Sequence, residues 1–161
     1  YGSIARGVAR CAAAFGMQIA AFDPYVPGDD PAWADGVVRF EALEDLLAGS
    51  DLVSLHVPLT DDTRHLIDAD ALQRMRAGAM LINSSRGGVV DEAALAAALN
   101  SGRLAAAAID VFETEPLPAG TVLANAPGLL LTPHIAGVTR ESNQRVSSLI
   151  AERVLAHLET V

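Results

Sequence analysis

Polar residues of complementary chemistry stand where short apolar runs end. The stretch NSSRGGVVDEAAL carries Arg86 ahead of two glycines, IDVFETEP carries Asp110 and then Glu115, and LTPHIAGVT carries His134. An arginine can grip a carboxylate through two parallel hydrogen bonds. A histidine can exchange a proton with a hydroxyl or a carbonyl near neutral pH. A carboxylate beside that imidazole favours its protonated form and fixes its orientation. Together the three types suit a small acid whose neighbouring carbon is an alcohol or a ketone. Each also has a plainer reading: Arg86 as a salt-bridge partner, Glu115 as a loop charge, His134 as a helix cap. Taken singly the plain readings prevail; their common place just past apolar runs favours the chemical one.

A hydride carrier would complete that set. A dinucleotide-binding turn reads G-x-G-x-x-G or G-x-G-x-x-A between a strand and a helix, so that backbone can approach the pyrophosphate. YGSIA supplies its last five positions, with Gly2 as the second glycine, Ser3 and Ile4 as spacers and Ala5 as the third small residue. The first glycine would precede Tyr1. Asp23 follows about 20 residues on, where an acid accepts hydrogen bonds from the adenosine ribose and repels a 2′-phosphate. This favours NAD over NADP. A turn glycine and an Asp-Pro turn explain the same residues without a ligand.

These residues need elements to hold them. Ile4, Val8, Cys11, Ala12 and Phe15 share one helical face, and Gly16 sits where that helix would stop. MQIAAF and VVRF read as short strands, EALEDLLAGS as a helix and DLVSLHV as a strand. A helix around Ala69–Met75, the strand AMLINSS, a helix over Asp91–Asn100, and the strands LAAAAIDV and GLLLT follow. From Thr139 onward Val146, Leu149, Ile150, Val154 and Leu158 mark the face of a long helix. Apolar strands separated by helices predict an α/β fold, a Rossmann-like doubly wound parallel sheet, in one domain over residues 1–161. Ligands of such sheets sit beyond the carboxyl ends of the strands. Asp23, His56, Ser84 to Arg86, Asp110 and His134 all fall there. Gly87 and Gly88 read as permitting the turn after Arg86.

The bulk numbers exclude several partners. Lys+Arg number 11 against Asp+Glu 20, a net charge of −9, with no basic run. Nucleic acid and anionic membranes are therefore not expected. The longest stretch free of Asp, Glu, Lys and Arg, Pro116 to Thr139, is broken by prolines and does not read as a span. With 51% hydrophobic residues the chain can build a core, although aromatics are only 4%. Cys11 is the single cysteine and reads as a small core residue. It can form no internal disulfide, which fits a reducing, cytoplasmic setting. His65 and His157 read as surface residues, His56 by itself as a satisfied structural histidine, and no histidine pair has metal spacing, so no metal is expected.

In order and spacing, YGSIARGVA, FDP, HVPLTDDTRHLI, NSSRGGVVDEAAL, AAAIDVFETEPLP and LTPHIAGVT resemble the D-isomer-specific 2-hydroxyacid dehydrogenase family, in the style of D-3-phosphoglycerate dehydrogenase. The resemblance covers the NAD-binding domain, from Tyr1 to about Asn143. It implies that Arg86 binds the substrate carboxylate, that Glu115 supports His134, and that His134 is the proton donor. Formate dehydrogenases of the superfamily carry glutamine where Glu115 stands. It further implies cofactor contacts from Gly2, Ser3, Ile4 and Asp23 at the pyrophosphate and ribose, and from Val57 and Pro58 at the adenosine half, with His56 close to the cofactor. Ser84, Ser85, Arg86, Asp110, His134, Ala136 and Gly137 would lie around the nicotinamide. The expected activity is interconversion of a D-2-hydroxy acid and its 2-oxo acid, in a homodimer. The chain would then be a fragment that lacks the first strand of the fold and does not fold stably or act alone, and its final helix, 139–161, would lead back to an absent substrate domain. Two rival readings are an NAD(H)-sensing corepressor-like dimerisation module and an inert truncation product.

Overall fold

Runs of small and branched apolar residues alternate with helix formers, and the chain answers with parallel strands joined by helices. The computed structural model describes residues 1–34 and 36–158. In order it contains α1 (Ser3–Ala14), β1 (Ala20–Ala21), a 3-10 turn (Pro31–Trp33), β2 (Val38–Arg39), α2 (Leu43–Gly49), β3 (Leu52–Leu55), α3 (Ala69–Arg74), β4 (Ala79–Asn83), α4 (Glu92–Asn100), β5 (Leu104–Ile109), β6 (Leu129–Leu131) and α5 (Arg140–Leu158). Each predicted element is present, the strands shorter than the apolar runs that announce them. The last three positions of the predicted final helix, 159–161, lie outside the described residues.

Every strand pairing is parallel. β3, β4, β5 and β6 form one sheet in that order, and β1 and β2 pair separately. The register aligns Leu55 with Asn83, Asn83 with Ile109, and Ile109 with Leu131. All four carboxyl ends of the larger sheet therefore lie in one row. The residues that follow them (His56, Ser84 to Arg86, Asp110 and Thr132 to His134) emerge on a single rim.

Behind that rim Leu47, Ile67, Leu72, Met75, Leu81, Leu95 and Leu104 are fully buried between the sheet and α2, α3 and α4. Asp68 and Asp91 cap the starts of α3 and α4. Their carboxylates accept from the amides of Ala71 and Ala94, each at 2.9 Å.

Two expectations of burial fail. On α1 the buried residues are Ala5 and Ala9, while Ile4, Val8 and Phe15 are exposed, Phe15 at 89%. Cys11 is exposed too, and is not a core residue. α1 seats its small residues, which allow close backbone approach, and turns its larger ones outward. α5 has no buried residue, so Val146, Leu149, Ile150, Val154 and Leu158 all face outward. An apolar stripe is buried only where another element covers it, and no described element covers this one.

Candidate active site

Arg86 leaves β4 in a tight turn organised by a residue that the sequence reading passed over. Asn83, the last residue of β4, is 2% exposed. Its amide nitrogen donates to the Arg86 carbonyl at 3.0 Å, and its amide oxygen accepts from the backbone N–H of Ser85 at 3.1 Å and the Ser85 hydroxyl at 2.8 Å. A buried primary amide with its donor and acceptor both used is a specific clamp. Its only mark in the sequence is a polar residue closing the apolar run AMLIN, which does not name its partners. Arg86 itself is exposed, and its guanidinium donates back to the Ser85 carbonyl at 2.6 Å. Ser84 is exposed and Ser85 is committed to Asn83.

Asp110 follows β5 and is 6% exposed. One of its oxygens accepts from the Thr132 hydroxyl at 2.5 Å and the Ile135 amide at 2.9 Å, and the other from the Ala136 amide at 2.9 Å. Burial opposes its ionisation, but these three donors and the nearby His134 outweigh burial and hold the carboxyl below the usual range. Both oxygens thus face inward, onto the turn that carries His134. Asp110 thus uses three of its acceptor positions on the protein itself.

Within that turn His134 has φ 54°, the left-handed region that side chains other than glycine rarely adopt. The bonds from Asp110 to the turn that carries it offset this cost. His134 Nδ1 lies 2.7 Å from Glu115 Oε2, and the other Glu115 oxygen accepts from the Phe112 amide at 2.9 Å. The bond to His134 first, and the Phe112 N–H second, hold the Glu115 carboxyl below its ordinary range. The pair edges an apolar cavity of about 520 Å³ lined by Phe112, Pro116, Leu117, Leu131 and Pro133. Behind it Glu113 and Glu92 exchange bonds through their backbone amides, and Glu113 also meets His65 at 3.1 Å. These contacts tie the Glu115 loop to α4. Arg86 reaches neither Glu115 nor His134 directly; it shares their rim.

At the other end of the chain Gly2 begins α1 without a side-chain cap, and no acidic residue stands in the first turn. Unpaired amides there suit an anion. Asp23 accepts from the Tyr25 amide at 2.9 Å, and its other oxygen lies against the backbone nitrogen of Tyr1, beside the glycine turn. An anion-ready helix start with a carboxylate next to it fits the pyrophosphate and ribose of a dinucleotide. Val57 is half-buried and Pro58 exposed, just past β3. His56 bonds Ser54 at 3.0 Å, and burial lowers its pKa. Ala136 is bound through its amide by Asp110, and Gly137 lies in open space. Trp33 stacks on Tyr1 at 5.4 Å between ring centres, with the Arg39 guanidinium 5.4 Å above the Trp33 ring. No helix among the described residues is long and apolar enough to cross a membrane.

Residues 1–136 match the family model of the D-isomer specific 2-hydroxyacid dehydrogenase, NAD binding domain. The chain belongs to this family. A (S)-sulfolactate dehydrogenase of Chromohalobacter salexigens is 55% identical over 154 residues, which cover 96% of this chain and 50% of that protein. A glyoxylate reductase from Paecilomyes thermophila superposes with TM-score 0.89 at 37% identity, covering 98% of this chain and 47% of that one. The NAD-complexed family member from Lactobacillus delbrueckii superposes with TM-score 0.86 at 28% identity, over 98% and 51%. The chain spans about half the length of the curated relatives it matches. In family terms it is an NAD-binding domain.

Proposed function

We propose that the protein to which this chain belongs is an NAD-dependent oxidoreductase that interconverts a D-2-hydroxy acid and its 2-oxo acid. The observation that carries this reading is the 2.7 Å His134–Glu115 bond on the same strand-end rim as Arg86. Arg86 would take the substrate carboxylate with two N–H groups, exchanging its bond to the Ser85 carbonyl for a stronger, charge-assisted pair. That grip fixes the neighbouring carbonyl oxygen within reach of His134. In reduction the imidazolium Nε2–H protonates that oxygen; in oxidation the neutral imidazole takes the proton back. Glu115 holds Nδ1, so the opposite nitrogen is the one left for the substrate.

When bound, the cofactor would contribute hydride chemistry at the substrate carbon, NADH as donor in reduction and NAD⁺ as acceptor in oxidation. Gly2, Ser3 and Ile4 would face its pyrophosphate, Asp23 its adenosine ribose, and Val57 and Pro58 its adenosine half. Ser84, Ser85 and the Ala136-Gly137 backbone would border the nicotinamide. Asp110 serves the same end by holding the Ile135 and Ala136 amides in place.

The name of the 55% identical relative brings one substrate to the front: 2-oxo acids with a second, sulfonate anion. The test is turnover by the full-length protein. NADH oxidation is followed with glyoxylate, hydroxypyruvate, 3-phosphohydroxypyruvate and sulfopyruvate. Steady turnover with one of them, reduced at least tenfold in Arg86→Lys while NADH affinity is kept, is the expected result. A folded, NADH-binding protein that reduces none of the four overturns the reading.

A further inference from the structure

We infer that Asn83 and Gly87 are positioning residues, and that the Phe112 peptide, pressed against Gly87, is a strut that sets the spacing between the Arg86 turn and the Glu115–His134 pair. The kinetic part of this rests on the proposed oxidoreductase function; the geometric part does not.

Gly87 follows Arg86, and its φ is not in the left-handed region, unlike that of Gly88 at 79°. Its requirement is contact, not conformation. A Cβ built on Gly87 would overlap the carbonyl oxygen and carbon of Phe112 and lie 3.0 Å from its nitrogen. Those are backbone atoms, so no side chain can swing away to make room. The peptide that abuts Gly87 through its carbonyl belongs to the residue whose N–H holds Glu115 Oε1 at 2.9 Å. Glu115 Oε2 in turn holds His134 Nδ1 at 2.7 Å. An unbroken mechanical path therefore runs from Arg86 through Gly87, Phe112 and Glu115 to the imidazole.

Asn83 anchors both ends of this path. Its side chain fixes the Arg86 carbonyl, and its own carbonyl accepts from the Asp110 amide at 2.9 Å. Asp110 then holds the His134 turn. The carboxylate grip and the proton donor are thus registered against each other at the strand ends, although no bond joins Arg86 to His134. Neither Asn83 nor Gly87 faces the reacting atoms in this scheme.

The two residues have separable consequences. Gly87→Ala would push the Phe112 peptide away, break its bond to Glu115 and loosen the carboxylate. Asn83→Ala would free the arginine turn but leave the Phe112–Glu115 bond alone. The experiment records the side-chain carboxyl titration of Glu115 by carbon NMR in the full-length wild-type protein and both variants, together with kcat and KM for the 2-oxo acid. In Gly87→Ala the Glu115 midpoint rises and kcat/KM falls roughly 100-fold, the scale of a misplaced reacting group. In Asn83→Ala the KM rises about tenfold, the scale of a weakened charge-assisted contact, with the Glu115 midpoint unmoved.

A folded Gly87→Ala protein whose Glu115 titrates as in wild type overturns the strut. An unchanged KM in Asn83→Ala removes that residue from the scheme. Should Gly87→Ala not fold, the wild type decides: the Phe112 amide proton must follow the Glu115 titration, and an amide that ignores it overturns the strut. A shifted Glu115 midpoint in a protein that reduces no 2-oxo acid would keep the strut and sink the proposed function instead.

Discussion

In the proposed reaction Glu115 is the residue on which the chemistry turns, because it fixes the orientation of an exposed imidazole on a loop. Glu115→Gln keeps the shape and the acceptor for the Phe112 amide but replaces a charge-assisted bond to His134 Nδ1 with a neutral one. The imidazole is then held less firmly, so kcat should fall about tenfold while NADH affinity stays. An unchanged kcat would remove Glu115 from the mechanism. Asp110 works at one remove. Asp110→Asn places an N–H donor against the Ala136 amide, or else turns its oxygen away from Ile135 and Thr132. The expected loss is about 2 kcal/mol, typical of a hydrogen bond to a buried charge, together with a fall in kcat. Asp110 ionises more readily folded than unfolded. Its stabilisation is complete at neutral pH, disappears as pH falls below the usual carboxylate range, and is missing in the variant at every pH. Denaturant melts from neutral pH to acid check this. Wild type and variant should converge at low pH, and parallel curves would show that Asp110 is not the source.

At the scale of elements, the sheet's register does the positioning and the helices hold the register. α4 matters most, since its first turn carries Asp91 as cap and Glu92 as partner of the Glu113 amide. Burial, with the charges of Glu113 and Asp91, raises the Glu92 pKa against the opposing bond from Glu113. Asp91→Ala should cost about 1 kcal/mol, as N-cap losses do. It should also loosen the Glu113 loop, measurable as a drop in melting temperature with a smaller drop in kcat. The elements themselves were legible because apolar runs alternate with capped helical stretches: Asp91 and the run LAAAAI announce α4 and β5 without ambiguity. The rim was legible too, because polar residues follow each run. The Asn83 clamp was not, since one amide at the end of an apolar strand says nothing of its partners. Nor was the left-handed backbone of His134, which long-range bonds from Asp110 stabilise. Periodicity marked the apolar faces of α1 and α5 correctly, but periodicity cannot say whether anything covers a face.

Across the whole molecule, order is unevenly supported. β4 and β5 sit between paired strands and bury Leu81, Leu104 and Ile109. β1 and β2 pair over two residues each, and α5 buries none of its nineteen. A two-stranded pairing of that length has almost no independent stability in water, and an uncovered helix relies on its own propensity. Studied by itself, this 161-residue chain should therefore exchange its amide hydrogens in two tiers. Protection should be greatest in β4, β5 and α4, and close to none in β1, β2 and α5. Denaturant should unfold it in a broad transition of low midpoint, not in one sharp step. Covering the apolar faces of α1 and α5 in a larger protein would raise protection in those helices specifically. Uniform protection across all elements, with a single cooperative melt of ordinary stability, would mean that the faces now turned to solvent cost the fold nothing. The division between a firm strand-end rim and loosely held flanks would then have to be given up.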